Sequence, residues 1–348
     1  MLRRGYVGLF CWACLLASSL VFISAGTASA QNYKVLRRIP VGGEGAWDYL
    51  RVDPDAQRIY VTRGSHVMVL EESSGKPIGD IPITNARSVH DLALAQDLGK
   101  GFISVGSANS VTIFDLKTLK PISDVKVTGQ DPDSIVYDPA TKRVFVFNAK
   151  SNNATVIDAN NGQVAGTVKL SGAPEEAQLD GRGNVFVNID DKSSMVEFDA
   201  KTLAIKAEWP LAPCEGPSAL AYDAAHRRLF AACDKVMVVV NADTGKVVAS
   251  PPIGGDSDGN GYDPATGLLF ASSKQGLISV IHQDSPDKYS VLANVTTQFG
   301  TGTMTLDTKT HHVFTATADY TTPAKTAENP RPRARQVPGS FVVLEVAQ

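Results

Sequence analysis

Acidic side chains recur along this chain at a spacing that could bring them together around a cation. Five residues before a column of recurring aspartates, the chain places a carboxylate in five of seven copies of a repeat. Hard cations prefer oxygen ligands, and carboxylates that converge on a narrow space repel one another until a positive charge neutralises some of them. We therefore expect a site for a divalent cation, Ca²⁺ or Mg²⁺, or for a positively charged ligand. The seven positions are Asp48, Asp91, Asp133, Glu175, Ser218, Asp258 and Gly302.

Other functional side chains lie within two residues of this row. They would add an indole, an imidazole and further carboxylates to the predicted site: Trp47, His90, Asp131 and Asp256. A structural explanation of the row is also open, because an aspartate at the turn before a strand often hydrogen-bonds its own backbone two residues on.

One copy contains a pattern that resembles the first half of a calcium-binding loop. Asp256, Asp258 and Asn260 alternate and are followed by Gly261. The twelfth position of such a loop needs a bidentate glutamate, and this chain has Gly267 there. The pattern is therefore incomplete.

The repeat that carries these residues has the signature of a small antiparallel sheet. The clearest copy, residues 216–252, shows four apolar alternating runs at 218–223, 228–233, 236–241 and 247–252, with turn residues between them. Successive copies are 40 to 44 residues apart, which is typical of the four-stranded blades of a propeller. The column is Asp53, Gln96, Asp138, Asp180, Asp223, Asp263 and Asp307.

Seven such units predict an all-β, seven-bladed β-propeller formed by residues 31–348. The last copy lacks a fourth strand, whereas residues 33–40 form a strand-like run ahead of the first copy. We expect this N-terminal strand to complete the last blade, because closure removes the exposed edges of an open array. The first strand of each blade would be innermost, so the carboxylates would surround one mouth of a central channel.

The composition fits one ordered domain and gives no general attraction to nucleic acid. The formal net charge is −3, 43% of the residues are hydrophobic and 20% are charged. No shift in composition marks a second domain. Nucleic-acid binding is therefore the third of our functional hypotheses, and we expect a monomer.

Residues 1–30 have the features of a secretory signal peptide. Arg3 and Arg4 precede an apolar stretch at 9–23, and Ala28-Ser29-Ala30 is a small-residue cleavage site. We expect cleavage after Ala30 and a periplasmic or secreted protein. An uncleaved membrane anchor is the alternative, and the mature chain has no stretch that could span a bilayer.

The mature chain would contain two cysteines, Cys214 and Cys233. In the repeat frame both lie at the same end of one antiparallel strand pair, so an oxidising compartment would allow a disulfide. Two separate buried thiols are the alternative.

The last copy also contains a long insertion, residues 319–339, that is rich in proline and arginine. A loop of this length in a compact domain is usually functional or disordered. Its basic residues could fold over the acidic mouth as a lid, or the loop could be solvated. They are Lys325, Arg331, Arg333 and Arg335.

Several copies resemble the YVTN repeats of the YncE-like β-propeller family. The resemblance rests on Ile59-Tyr60-Val61-Thr62, on Tyr137-Asp138-Pro139 with the following strand, and on 239–247. It covers residues 33–348 and implies a seven-bladed propeller that is exported from a bacterial cell. Related propellers include lactonases, but no catalytic residue set can be matched in this chain.

Our first hypothesis is therefore a non-catalytic, exported propeller that binds a small ligand, a cation or a protein partner at its acidic mouth. The alternative is a lactonase-like or metal-dependent hydrolase, in which the mouth carboxylates hold a divalent cation and His90 or an aspartate acts as general base. Whether the protein is an enzyme is not decided by the sequence, and we assign no catalytic residue.

Overall fold

The chain forms a ring of seven four-stranded antiparallel sheets, as the sequence predicts. The computed structural model describes residues 1–2, 5, 32–43, 45–322 and 334–348. Strands are numbered in chain order, and β1 is Lys34–Pro40.

The first six blades are formed from consecutive strands. Blade 1 contains β2 (Trp47–Asp53), β3 (Arg58–Arg63), β4 (His66–Glu71) and β5 (Pro77–Pro82). Blade 2 contains β6 (Val89–Ala95), β7 (Lys100–Val105), β8 (Ser110–Asp115) and β9 (Pro121–Lys126). Blade 3 contains β10 (Pro132–Asp138), β11 (Arg143–Asn148), β12 (Asn153–Asp158) and β13 (Gln163–Lys169). Blade 4 contains β14 (Pro174–Leu179), β15 (Asn184–Ile189), β16 (Ser194–Asp199) and β17 (Ile205–Pro210). Blade 5 contains β18 (Ala219–Asp223), β19 (Arg228–Ala232), β20 (Met237–Asn241) and β21 (Val247–Ala249). Blade 6 contains β22 (Gly259–Asp263), β23 (Leu268–Ser273), β24 (Leu277–Ser285) and β25 (Lys288–Thr296). Short 3₁₀ turns lie at Gln96–Leu98, Gly106–Ala108, Ala149–Ser151 and Asp190–Lys192.

Blade 7 closes the ring with both ends of the chain. It contains β26 (Met304–Asp307), β27 (His312–Thr317) and β30 (Val342–Ala347), and β1 is its outer strand. β1 runs antiparallel to β30, with Lys34 opposite Ala347 and Pro40 opposite Val342. The predicted closure by the N-terminal strand is therefore confirmed. The insertion adds a two-stranded hairpin of β28 (Tyr320–Thr321) and β29 (Arg335–Gln336).

An aromatic residue in the second strand of every blade forms the centre of the packing. Each lies opposite the residue two positions before the column, and each is fully buried. Large flat side chains at one repeated position fill the space between adjacent sheets and contribute much of the buried apolar area. The seven are Tyr60, Phe102, Phe145, Phe186, Phe230, Phe270 and Phe314.

The column aspartates have a structural role at the turn after the first strand. The Oδ1 atom of Asp53 accepts hydrogen bonds from the backbone N–H groups of Asp55 and Ala56. Asp138, Asp180, Asp223, Asp263 and Asp307 also accept backbone bonds at their own turns. This is the turn geometry that aspartate side chains favour.

Blade 2 departs from the predicted column by one residue. Ala95 lies opposite Lys100 in the same way that Asp53 lies opposite Arg58, so Ala95 and not Gln96 is the column residue. Gln96 begins a 3₁₀ turn and donates a hydrogen bond to the Oδ2 atom of Asp53. The residue five positions before the column in blade 2 is therefore His90. The prediction that Asp91 occupies this position was wrong.

The predicted disulfide between Cys214 and Cys233 is present, with the two Cα atoms 5.6 Å apart. Most of the predicted signal peptide, including its cleavage site, lies outside the described residues. Among the residues described, no helix has the length and apolar character needed to cross a membrane.

Candidate functional site

The residues five positions before the corrected column form a set at the start of the innermost strands, which we call the mouth ring. In blades 1 to 4 this residue lies within an irregularity of the strand pairing, such as the bulge between Trp47 and Leu50 in blade 1. A bulge re-aims a side chain without interrupting the sheet. The mouth ring consists of Asp48, His90, Asp133, Glu175, Ser218, Asp258 and Gly302.

The first three members of the mouth ring meet in space. The Nδ1 atom of His90 is 2.7 Å from the Oδ2 atom of Asp48 and 3.8 Å from the Oδ1 atom of Asp133. Burial alone would lower the pKa of His90, but the hydrogen bond with Asp48 and the charges of Asp133 and Asp131 raise it to about 9. The imidazole is therefore a cation between two carboxyl groups at neutral pH.

Blade 2 and the loop before blade 3 fix the other edge of the His90 ring. Its Nε2 atom is 2.6 Å from the Oγ atom of Ser88 and 3.7 Å from the Oδ1 atom of Asp131. Asp131 also forms an ion pair with Lys150 at 3.0 Å. A Cβ atom on Gly106 would lie 2.6 Å from Nε2, so this close approach requires glycine.

Asp91 and Glu176 belong to a second, deeper layer. The Asp91 carboxylate is fully buried and accepts two hydrogen bonds from Arg51, at 2.8 and 2.7 Å. Arg51 reaches Glu176 as well, at 3.2 Å. One arginine from blade 1 thus holds carboxylates from blades 2 and 4 below the mouth, which explains why Asp91 is not available in the mouth ring.

Glu175 has no such partner. Among the residues that the structure describes, none forms a hydrogen bond or ion pair with its carboxyl group. Burial and the charges of Asp133 and Asp258 raise the pKa of Glu175 to about 9. Burial also raises the pKa of Asp133, which the cationic His90 partly offsets, to about 7. The mouth therefore contains more carboxyl groups than its cations can neutralise.

A cavity of about 640 Å³ opens beside Asp48, between blades 6, 7 and 1. Asp258 lies on its wall and forms an ion pair with Lys274 at 2.7 Å. The glycine at position 302 makes room for this pair, because a Cβ atom there would lie 2.8 Å from the Cε atom of Lys274. The cavity thus combines charges of both signs.

Three aromatic side chains line the same cavity. Trp47 packs on Phe341 with a centroid separation of 5.0 Å, and Phe299 meets Tyr320 edge to face at 5.4 Å. Phe299 is 58% exposed, so a large apolar surface faces solvent at the cavity wall. Aromatic faces beside carboxylates suit an organic cation.

The remaining predicted residues do not join the mouth ring. Asp256 is exposed, and Asn260 donates its amide to the carbonyl of Phe230, so the calcium-like pattern does not form a loop around an ion. Arg335 is exposed in β29, whose neighbours Ala334 and Gln336 line the cavity. Lys325, Arg331 and Arg333 lie outside the described residues.

Sequence reasoning missed several residues of the site. Arg51 lies two positions before the column and was not singled out, although an arginine in an inner strand is unusual enough to be a signal. Lys274, Phe299 and Tyr320 lie in segments between the inner strands, where the repeat gives no positional guide. Tyr49 directly follows Asp48 and is buried.

Comparison with solved structures shows the fold. The chain matches a structure of RRP9 WD40 repeats with a TM-score of 0.74 at 10% identity, covering 92% of this chain and 98% of that one. A structure of U3-55K gives 0.73 at 10% identity, with coverage of 91% and 99%. The hydrazine synthase of Kuenenia stuttgartiensis gives 0.68 at 14% identity, with coverage of 86% and 97%.

No protein-family model and no curated protein matches the chain. At 10–14% identity, these three structures show the fold and transfer no function to this chain. The chain is therefore a seven-bladed β-propeller that resembles WD40 propellers in fold.

Proposed function

We propose that this protein is an exported, non-catalytic propeller that binds a small organic cation at its acidic mouth. The observation that carries the proposal is the 640 Å³ cavity, in which Asp48 and Asp258 stand beside Trp47, Phe299 and Tyr320. Pockets of a few hundred cubic ångströms with apolar walls and a few placed polar groups are typical of small-molecule sites.

The charge of the mouth supports a cation over an anion. Glu175 interacts with both Asp48 and Asp258, and its pKa of about 9 leaves it protonated at neutral pH. A cation bound elsewhere in the mouth would lower this pKa and favour the carboxylate form.

Export and a YncE-like relationship are part of the same proposal. The N-terminal features of residues 1–30 and the disulfide between Cys214 and Cys233 both suit an oxidising compartment. The YVTN-like copies support the relationship.

The protonation state of His90 disfavours the alternative hydrolase in which this residue is the general base. Its pKa of about 9 keeps the imidazole protonated at neutral pH, and a protonated imidazole accepts no proton. If His90 acted as a general acid instead, the reaction would also need a nucleophile. Among the described residues at the mouth, the geometry identifies none.

Calorimetric titration with phenethylammonium, against neutral 2-phenylethanol, tests the proposal. We expect the ammonium to bind at least tenfold more tightly, because only it compensates the carboxylates. Phe299→Ala and Asp258→Asn should each weaken binding about tenfold, in line with the loss of a cation–π contact or of one charge at the cavity wall. Asp55→Asn is the matched control, because it removes an exposed carboxylate that pairs only with Lys309.

Equal binding of the neutral compound would refute a cation site. Loss of affinity in Asp55→Asn as large as in Asp258→Asn would show a general charge effect instead of a local one. Either result would leave only the propeller fold standing.

A further inference from the structure

The imidazole of His90 and the carboxylates of Asp48 and Asp133 converge at the mouth in a way that suits a metal ion. One ligand atom of each residue lies within 4.8 Å of the other two, and in the described part of the chain this is the one cluster of three or more potential ligands with that property. We propose that Asp48, His90 and Asp133 form a binding site for a divalent transition-metal ion such as Zn²⁺.

The distances require only a small adjustment. Ligand atoms about 2.1 Å from a zinc ion lie roughly 3.4 Å from one another in a tetrahedral arrangement. The His90 Nδ1 atom is 2.7 Å from Asp48 and 3.8 Å from Asp133. Zinc would displace the proton that His90 and Asp48 share at Nδ1, and the Asp133 carboxylate would move towards Nδ1 to become the third ligand.

Outer contacts hold the ligands in place. Metal-bound histidines generally donate the other ring N–H to an oxygen atom, and the Nε2 atom of His90 faces the Ser88 hydroxyl at 2.6 Å. The carbonyl of Asp133 accepts a hydrogen bond of 2.5 Å from Ser104, and that of Asp48 one of 2.5 Å from Thr303. Each carboxylate is thus tied to a neighbouring blade through its backbone.

The ligand types decide which metal class fits. Calcium and magnesium prefer oxygen-only sites, whereas one imidazole with two carboxylates suits zinc and its neighbours. Three protein ligands leave a coordination position for water. The side chains of Asp48, His90 and Asp133 remain 29%, 19% and 22% exposed, so that position opens to the channel mouth.

This inference goes beyond the proposed function and can fail separately from it. The organic cation would occupy the aromatic cavity on the far side of Asp48 from His90, while the metal would lie between blades 1, 2 and 3. Zinc binding without ammonium binding would remove the proposed function only, and the reverse would remove the metal site only.

The test is calorimetric titration of chelator-treated, tag-free protein with Zn²⁺ alone. We expect one ion per chain, at least a hundredfold loss of affinity in His90→Gln and Asp133→Asn, and about a tenfold loss in Ser88→Ala, whose hydroxyl only orients the ring. His226→Gln is the matched control, because His226 also forms a hydrogen bond with an aspartate, Asp223, at 2.7 Å but belongs to no cluster of three potential ligands among the described residues. Its affinity should stay within twofold.

Circular dichroism of each variant would exclude unfolding, and a crystal soaked in Zn²⁺ should show the anomalous peak between His90 and Asp133. The proposal is overturned if wild-type protein binds no stoichiometric zinc at 1 mM, if His226→Gln loses as much affinity as His90→Gln, or if the peak lies elsewhere.

Discussion

Replacement of Arg51 by methionine is the sharpest test of the layer below the mouth. Arg51 lies between Asp91, which is fully buried, and Glu176, whose side chain is 7% exposed. Methionine keeps most of the apolar length of the side chain and removes the guanidinium. The variant would leave two carboxylates from different blades in a buried site without a cation.

We expect a loss of about 3–5 kcal/mol in the free energy of unfolding at pH 7.5, which is typical when one partner of a buried ion pair is removed. The expected loss of stability is limited because both carboxylates keep hydrogen bonds from backbone amides. Asp91 still accepts from the backbone N–H groups of Leu92 and Ile135, at 2.7 and 3.2 Å, and Glu176 still accepts from Leu220.

The pH dependence follows from the same charges. Burial raises the pKa of Glu176 and Arg51 offsets part of this shift, so the pKa of Glu176 would rise further in the variant. A carboxyl group whose folded-state pKa is raised contributes stability that is fully present below the unfolded pKa and is lost as the pH rises through the folded pKa. The deficit of the variant should therefore be smallest near pH 4 and largest at pH 7 to 8.

Urea denaturation followed by tryptophan fluorescence measures the deficit. Arg38→Met is the control, because Arg38 is exposed and the same change there should cost less than about 0.5 kcal/mol. Combining Arg51→Met with Asp91→Asn and Glu176→Gln should restore at least half of the loss. A deficit below 1 kcal/mol, or one that does not vary with pH, would contradict the assignment of Arg51 as the buried counter-ion.

Three further predictions concern other parts of the ring. Burial and the neighbouring Asp307 raise the pKa of Glu72 to about 7. The contribution of Glu72 to stability is therefore complete below pH 4.5 and is lost as the pH rises through 7. In urea denaturation, the unfolding free energy of Glu72→Gln should match that of the wild type at pH 5 and exceed it by about 1 kcal/mol at pH 8. Replacing Cys214 and Cys233 by serine should lower the unfolding free energy by about 3 kcal/mol, as expected for a closed loop of this length, with reduced wild type as the comparison. Deleting residues 32–40 should lower the unfolding free energy by about 4 kcal/mol, because buried side chains are lost. It should also expose the edge of blade 7, and light scattering should detect the resulting association between protein molecules.

The fold could be predicted because its information is local and repeated. Strands predicted at 228–233 and 236–241 are found at Arg228–Ala232 and Met237–Asn241. The fourth strand, predicted at 247–252, is shorter, at Val247–Ala249, and continues only as a bridge between Val236 and Pro252. Outer strands have one neighbour within the blade, so their ends are weakly specified by sequence.

The site was harder to predict because it depends on single-residue register. In blade 2 the column position is Ala95, which has no carboxylate to mark it, and the sequence pattern predicts the polar Gln96 next to it. In a strand, a shift of one residue exchanges the side chain that faces a given direction. The error exchanged His90 with Asp91, and so moved an imidazole out of the mouth ring and a buried ion-pair partner into it.

The aromatic cavity could not be predicted from the repeat at all. Lys274, Phe299 and Tyr320 come from connections in blades 6 and 7 that have no counterpart at a fixed offset in the other copies. Connections vary among repeats because the packing of the sheets does not constrain them. Their convergence on Asp258 therefore becomes visible only in three dimensions.

The contrast between the two layers of carboxylates is the strongest argument that the mouth binds something positive. In the deeper layer, Asp91 and Glu176 share the guanidinium of Arg51 and accept hydrogen bonds from backbone amides of the next blades. In the outer layer, Glu175 has no partner among the described residues, and Asp133 has only the imidazole it shares with Asp48. Both layers are formed by the same strands, so the same backbone could have carried a second arginine above Arg51. Carboxyl groups without a cationic partner lower stability, and their presence above a layer that contains Arg51 is explained if a cation from solution binds the outer layer.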